Sequence, residues 1–169
     1  MKIKCLIAVT AILYFWGVSS LYAQFKAGAG LLYGTEIDQI GLQINGYYDL
    51  PAVENLSVGG DLSFYLPHKF TGYKESMWEL NINGHYSAYK QDNIDLYGLA
   101  GINITGWKVK YTGDPGFGRA TYSTSRGGIN IGGGIQTNVG FGSIYGEVKY
   151  AIVSDLGHLA LGAGVRLPF

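Results

Sequence analysis

From residue 24 onward the chain alternates. In WELNINGHYSAY (78–89), Trp78, Leu80, Ile82, Gly84, Tyr86 and Ala88 share one face, and Glu79, Asn81, Asn83, His85, Ser87 and Tyr89 share the other. A period of two is the mark of a strand with two different surroundings. The same division runs through LSVGGDLSFYL (56–66), where Leu56, Val58, Leu62 and Phe64 oppose Ser57, Asp61 and Ser63. It recurs in INIGGGIQT (129–137) and SIYGEVKYAI (143–152), and no segment shows a convincing helical period. The pattern predicts strands over 25–36, 39–49, 55–66, 76–89, 94–108, 126–137, 143–152 and 158–169. In IDLYGLAGINITGW, Asp95, Asn103 and Thr105 place odd positions inside, which also buries Tyr97 and Trp107; a bulge near Gly106 is one way to resolve this.

The connections alternate too. PAVEN, QDN and VGFG are compact, while PHKFTGYKES and KYTGDPGFGRATYSTS are long and polar and are expected to be loops over 67–76 and 109–126. Compact turns at one end and longer loops at the other are the arrangement of a transmembrane barrel. The fold class expected is all-β: an eight-stranded antiparallel up-and-down transmembrane β-barrel over 24–169.

Volume decides which face meets lipid. Eight strands enclose room only for side chains or one small ligand. The apolar face carries more bulk than that, whereas the polar face is mainly Gly, Asn, Ser and Gln. The apolar face is therefore expected outside. Trp78 and Tyr86 would then be separated by about 20 Å of height at the usual rise and tilt, close to the ~25 Å apolar band of such barrels. Phe25, Tyr48, Tyr86 and Phe169 fall toward one rim and Tyr33, Phe64, Trp78 and Tyr150 toward the other, as two aromatic girdles would.

Lys26, Glu36, Asp61, Glu79, His85, Asp95, Glu147, Lys149 and Arg166 are expected inside. Charges in so narrow a space should pair, so a polar plug is expected in which Arg166 and Lys149 are balanced by Glu147 and Asp61. A conducting pore fits poorly in that room. Residues 67–76 and 109–126, with Phe70, Tyr73, Phe117 and Tyr122, are the candidate contact elements.

Composition narrows the classes. Gly is abundant at 27 residues, which weighs against helices. The 12 basic and 12 acidic residues balance and form no basic stripe, so nucleic acid is not an expected partner. Lys2, Lys4, the apolar stretch CLIAVTAILYFWGV and SSLYA read as a signal peptide over 1–23, removed after Ala23 together with Cys5, the sole cysteine. No cofactor or metal site is expected. His85-x-Ser87 resembles a nucleophile pair but points inward, Ser154, Asp155 and His158 gather in a connection, and GDPGFG lacks the residues of a phosphate loop. The reading is not an enzyme.

On these features the chain resembles the small eight-stranded outer-membrane barrels, the OmpX and OmpA transmembrane-domain type, over 24–169. The resemblance implies insertion into the outer membrane of a Gram-negative bacterium, contact with outer-membrane lipid and lipopolysaccharide, and recognition by the barrel-assembly machinery. In that family the final strand carries the assembly signal, and Leu161, Ala163, Val165, Leu167 and Phe169 of LALGAGVRLPF match it, with Pro168 a departure. The implied role is structural or surface-interacting through the outer loops, with a protein partner there or within a larger envelope complex. A lipid-modifying enzyme of the same fold, a narrow channel and a soluble lipocalin-type barrel are the alternatives.

Overall fold

A computed structural model describes residues 24–70, 72–111 and 120–169. Residues 1–23, the expected signal peptide with Cys5, and the contact candidate Phe117 lie outside the described residues, and of Lys69 and Phe70 only the backbone is described. Eight strands follow in order: β1 (Phe25–Gly34), β2 (Gln39–Asp49), β3 (Leu56–Phe70), β4 (Tyr73–Gln91), β5 (Ile94–Tyr111), β6 (Thr121–Asn138), β7 (Ser143–Val153) and β8 (His158–Pro168). Every neighbouring pair is antiparallel, and β1 also pairs with β8, from Lys26↔Pro168 to Gly34↔Ala160, so the sheet closes. Closure removes the edges that a bilayer could not satisfy. The Phe169 amide completes the seam by donating to the Phe25 carbonyl at 2.8 Å.

Short polar residues turn the chain at both ends. Asp38, Asn55, Asp92 and Asp155 adopt positive φ, and their side chains tolerate the left-handed region better than most. The strands differ in length. β1, β2, β7 and β8 have 10 or 11 residues, about what a tilted crossing requires. β3 to β6 have 15 to 19 residues and rise as a four-stranded extension at the end opposite Phe25 and Phe169.

That extension corrects the expected loops. Within 67–76, β3 runs to Phe70 and β4 begins at Tyr73, and within 109–126, β5 runs to Tyr111 and β6 begins at Thr121. Above a membrane both faces of a hairpin meet water. Polar composition there does not mean absence of strand, and the ladder bonds hold the hairpin without an apolar face.

The phase of β5 is regular. Odd positions face inward, Tyr97 is buried, and Trp107 is half-buried near the mouth. No bulge occurs at Gly106. Its outward side is filled by the Trp78 indole, and a Cβ at Gly106 would lie 2.3 Å from that ring. The register shifts instead in β4 between Ser87 and Tyr89, and between Tyr65 and His68 where β3 pairs β4. The first shift turns Tyr89 outward, against the expected inward position, where it is exposed and contacts Gln91.

Candidate functional site: a polar plug inside an apolar wall

Alternation places Ile44, Leu80, Ile82, Ile102, Ile129 and Val148 on the outer surface, all of them exposed. A continuous apolar surface of this kind exceeds what soluble monomers carry. Phe25, Tyr33, Phe64, Trp78, Tyr86, Tyr150 and Phe169 are exposed on that surface, and Tyr48 is half-buried, its hydroxyl donating to Gln24 at 2.6 Å.

Inside, two charge centres stand one above the other. The first gathers on Asp61, fully enclosed on β3. Its carboxylate accepts from Asn81 at 2.6 Å, Asn83 at 3.1 Å, Ser63 at 3.2 Å and Lys149 at 3.4 Å. The Lys149 ammonium also lies 3.8 Å from Glu79. Glu79 in turn meets His158 Nε2 at 3.1 Å and accepts from Tyr65 at 3.3 Å. His158 Nδ1 is 3.0 Å from the Leu156 carbonyl, so both ring nitrogens face oxygen atoms, and a doubly protonated ring donates to both. Amides tie these charges together: Asn130 donates to Asn81 and Asn83 at 2.9 Å each, and Asn103 donates to Asn81 at 2.6 Å. Thr105 donates to Asn103 at 2.7 Å.

The second centre is Arg166 on β8. Its guanidinium lies 3.3 Å from Glu147 and donates to Gln136 at 3.0 Å. It stands over the Tyr145 ring at 3.9 Å and the Tyr47 ring at 4.7 Å, within cation–π range. Tyr97 donates to Glu147 at 2.9 Å. His85 is sandwiched between Tyr97, with ring centroids 4.7 Å apart and an interplanar angle of 12°, and Tyr47 at 4.2 Å. Burying these ions costs free energy that only close pairing and full hydrogen bonding offset.

The ends of the lumen differ. Toward the termini, Lys26 pairs with Asp49 at 2.7 Å and Ser87 donates to Asp95 at 3.0 Å. A cavity of about 20 Å³ lies here, lined by Lys26, Asp49, His85, Ser87 and Asp95 among others; it holds about one water. His85 Nε2 and Asp95 Oδ1 are buried without a protein partner. Toward the extension, Leu32, Tyr65 and Met77 form an apolar cap with Ile37 and Trp107.

Two expectations need correction. Glu36 is not inside: it is exposed in the turn between β1 and β2, accepting from Thr35 at 2.6 Å and from the Leu159 amide at 2.5 Å. Its slight burial would raise the carboxyl pKa, but those hydrogen bonds outweigh it and hold the group below its ordinary value. The strand ends earlier than its apolar pattern suggested, and Glu36 turns out over the rim. His158 opens β8, as the predicted strand over 158–169 has it, and is fully enclosed there rather than gathered with the connection. It is therefore parted from the exposed Ser154 and Asp155. Nor do His85 and Ser87 make a nucleophile pair, since Ser87 donates to Asp95 and the His85 ring is stacked between tyrosines.

The amides Asn45, Asn81, Asn83, Asn103 and Asn130 and the tyrosines Tyr47, Tyr65, Tyr97 and Tyr145 were missed as plug residues. Their inward phase was visible in the alternation. Charge alone does not single them out, because they are neutral.

An apolar wall, a sealed ladder and a filled polar interior define the class of small transmembrane β-barrels. Solved structures of that class resemble the chain. Neisserial surface protein A is 17% identical with a TM-score of 0.66, covering 86% of this chain and 96% of its own. A major outer membrane protein from Thermus thermophilus is 12% identical with a TM-score of 0.69, over 86% and 98%. The attachment invasion locus protein Ail of Yersinia pestis is 18% identical with a TM-score of 0.54, over 85% and 97%. At these identities the likeness concerns the fold. No protein-family model and no curated protein sequence matches the chain.

Proposed function

We propose that the protein is an integral outer-membrane barrel of a Gram-negative bacterium, without catalytic activity, that acts as a structural or surface-interaction protein. The observation that carries this reading is the pairing of a lipid-compatible wall with a filled, charge-paired lumen. An apolar wall of this extent suits a bilayer, and a lumen occupied by paired side chains supports a structural or surface role over conduction.

The extension supplies the contact surface. Tyr73 and Tyr111 rings lie 6.1 Å apart, and Tyr122 meets Tyr111 edge-on at 6.0 Å. Tyr111 and Tyr122 are exposed. A protein partner, or a place in a larger envelope complex, would engage here. One solved relative in fold, Ail, has been crystallised with the heparin analogue sucrose octasulfate, a precedent for ligand binding on such a scaffold. Outer-membrane lipid and lipopolysaccharide would surround the wall. The assembly machinery would read Leu161, Ala163, Val165, Leu167 and Phe169, which lie on the outer phase of β8 and its end.

Electrophoresis of the membrane fraction with and without boiling tests the reading. A folded barrel in that fraction should migrate differently when unheated; recovery in the soluble periplasmic fraction would overturn it. A lipid-modifying enzyme would require a His–Ser–acid set on the outer, lipid-facing side, and no such set stands among the described residues.

A further inference from the structure

The outward face of the extension is basic. Lys74 and Lys110 are register partners in one cross-strand row, and the backbone of Lys69 continues that row on β3. Lys108 lies one outward position lower, on the same phase of β5. The remaining outward positions of β4 and β6 here are Ser76, Thr121, Ser123 and Ser125, with no carboxylate. Among the described residues, no acid lies within ion-pair distance of Lys74, Lys108 or Lys110. Like charges directly opposed on a sheet are unfavourable. Among the described residues this row of lysines has no counter-charge, which makes it a favourable place for an anion to bind.

Position identifies which anion. Lys108 is two residues beyond Gly106, which pairs with the girdle residue Trp78, and Lys74 is four residues beyond Trp78. At about 3.3 Å per residue and a tilt near 40°, these lysines stand roughly 5 and 10 Å above the girdle. The headgroup layer of a bilayer is roughly 5–7 Å deep on each side. Lys108 thus lies in the layer where lipid phosphates reside, and Lys74 and its register partner Lys110 stand just above it, from where their flexible four-carbon stems can bring the ammonium groups down to the phosphates. The other half of the rim differs: the short connections there bring Glu36, Asp38 and Asp155.

We propose that Lys74, Lys108 and Lys110 form a docking face for phosphate-bearing headgroups of the outer-leaflet lipid. The face fixes one side of the barrel against anionic lipid and leaves the acidic side free of it. This rests on the outer-membrane reading, which the unheated gel shift tests separately.

The test titrates the detergent-solubilised, gel-shift-competent protein with bisphosphorylated lipid A and counts bound lipid by native mass spectrometry. Each lysine near an anionic surface contributes roughly fivefold in affinity, so Lys74→Ala, Lys108→Ala and Lys110→Ala together should weaken binding on the order of a hundredfold. The corresponding triple arginine variant should retain binding, and Lys90→Ala, at the opposite rim, should bind as the parent does. Dephosphorylated lipid A should bind weakly and equally to parent and triple variant. Equal affinity of parent and triple alanine variant for the phosphorylated lipid would overturn the proposal. So would an equal loss with the dephosphorylated lipid, or binding of a soluble sulfated oligosaccharide to the same lysines as tightly as the lipid.

Discussion

Neighbouring residues on β4 live in opposite solvents. Leu80 and Ile82 are about half exposed on the outer wall, while Glu79, Asn81 and Asn83 between and beside them are essentially inaccessible. The outer face needs only apolar surface of the right height, so many side chains serve equally. The inner face is a set of specific partners, and each member's loss leaves another charge or amide unmatched. The same strand is therefore tolerant on one side and exacting on the other.

The largest break in that contrast should come from Lys149→Met. It leaves Asp61 and Glu79 without their shared cation, and removing one member of a buried pair costs about 3–5 kcal/mol. Denaturant unfolding of the protein refolded in lipid vesicles measures it. Adding Asp61→Asn to that variant should restore part of the loss, because one unmatched carboxylate goes while Glu79 keeps His158. On the outer face, Ile82→Lys should cost about 2–4 kcal/mol, as for a cation near the bilayer midplane, whereas Ile82→Val should stay below about 1.5 kcal/mol. A comparable cost for the two would mean that the outer wall is as exacting as the lumen.

Smaller effects sharpen the picture at the rims. Gly106→Ala puts a methyl group against the Trp78 indole and should cost about 1–3 kcal/mol with a change in tryptophan emission. Glu36 should produce the smallest effect. Its folded pKa lies below the ordinary value of 4.5, so its contribution is present above that value and is lost as the pH falls through the lowered folded value. Glu36→Gln should flatten the acid limb of the stability–pH profile slightly and leave neutral stability nearly unchanged, because the group is exposed.

The comparison also shows what a sequence can reveal. Alternation carries the strand count, the faces and the closing seam, because each residue's environment in a barrel wall is set by parity. Parity fails where the ladder slips: Tyr89 crosses to the outer face after the shift beyond Ser87, and nothing local to SAYK announces it. It is silent above the membrane, where both faces are wet and 109–126 reads as loop although β5 and β6 persist there. It also does not rank partners. That Lys149 divides itself between Asp61 and Glu79, and that His158 closes the chain of charges, depends on which strands face each other across the lumen. Those contacts join residues 70 to 90 positions apart in sequence.

The central claim is that even positions of β4 from Trp78 to Tyr86 face lipid and odd positions face a closed polar interior. With the sole cysteine, Cys5, replaced by serine, single cysteines introduced along 78–86 can each carry one nitroxide. Collision with oxygen, which concentrates in lipid, and with a water-soluble nickel chelate reports each environment in vesicles. The account predicts high oxygen and low nickel accessibility at 80, 82 and 84, and low accessibility to both at 79, 81 and 83. High nickel accessibility at the even positions, or at the odd ones, would contradict it.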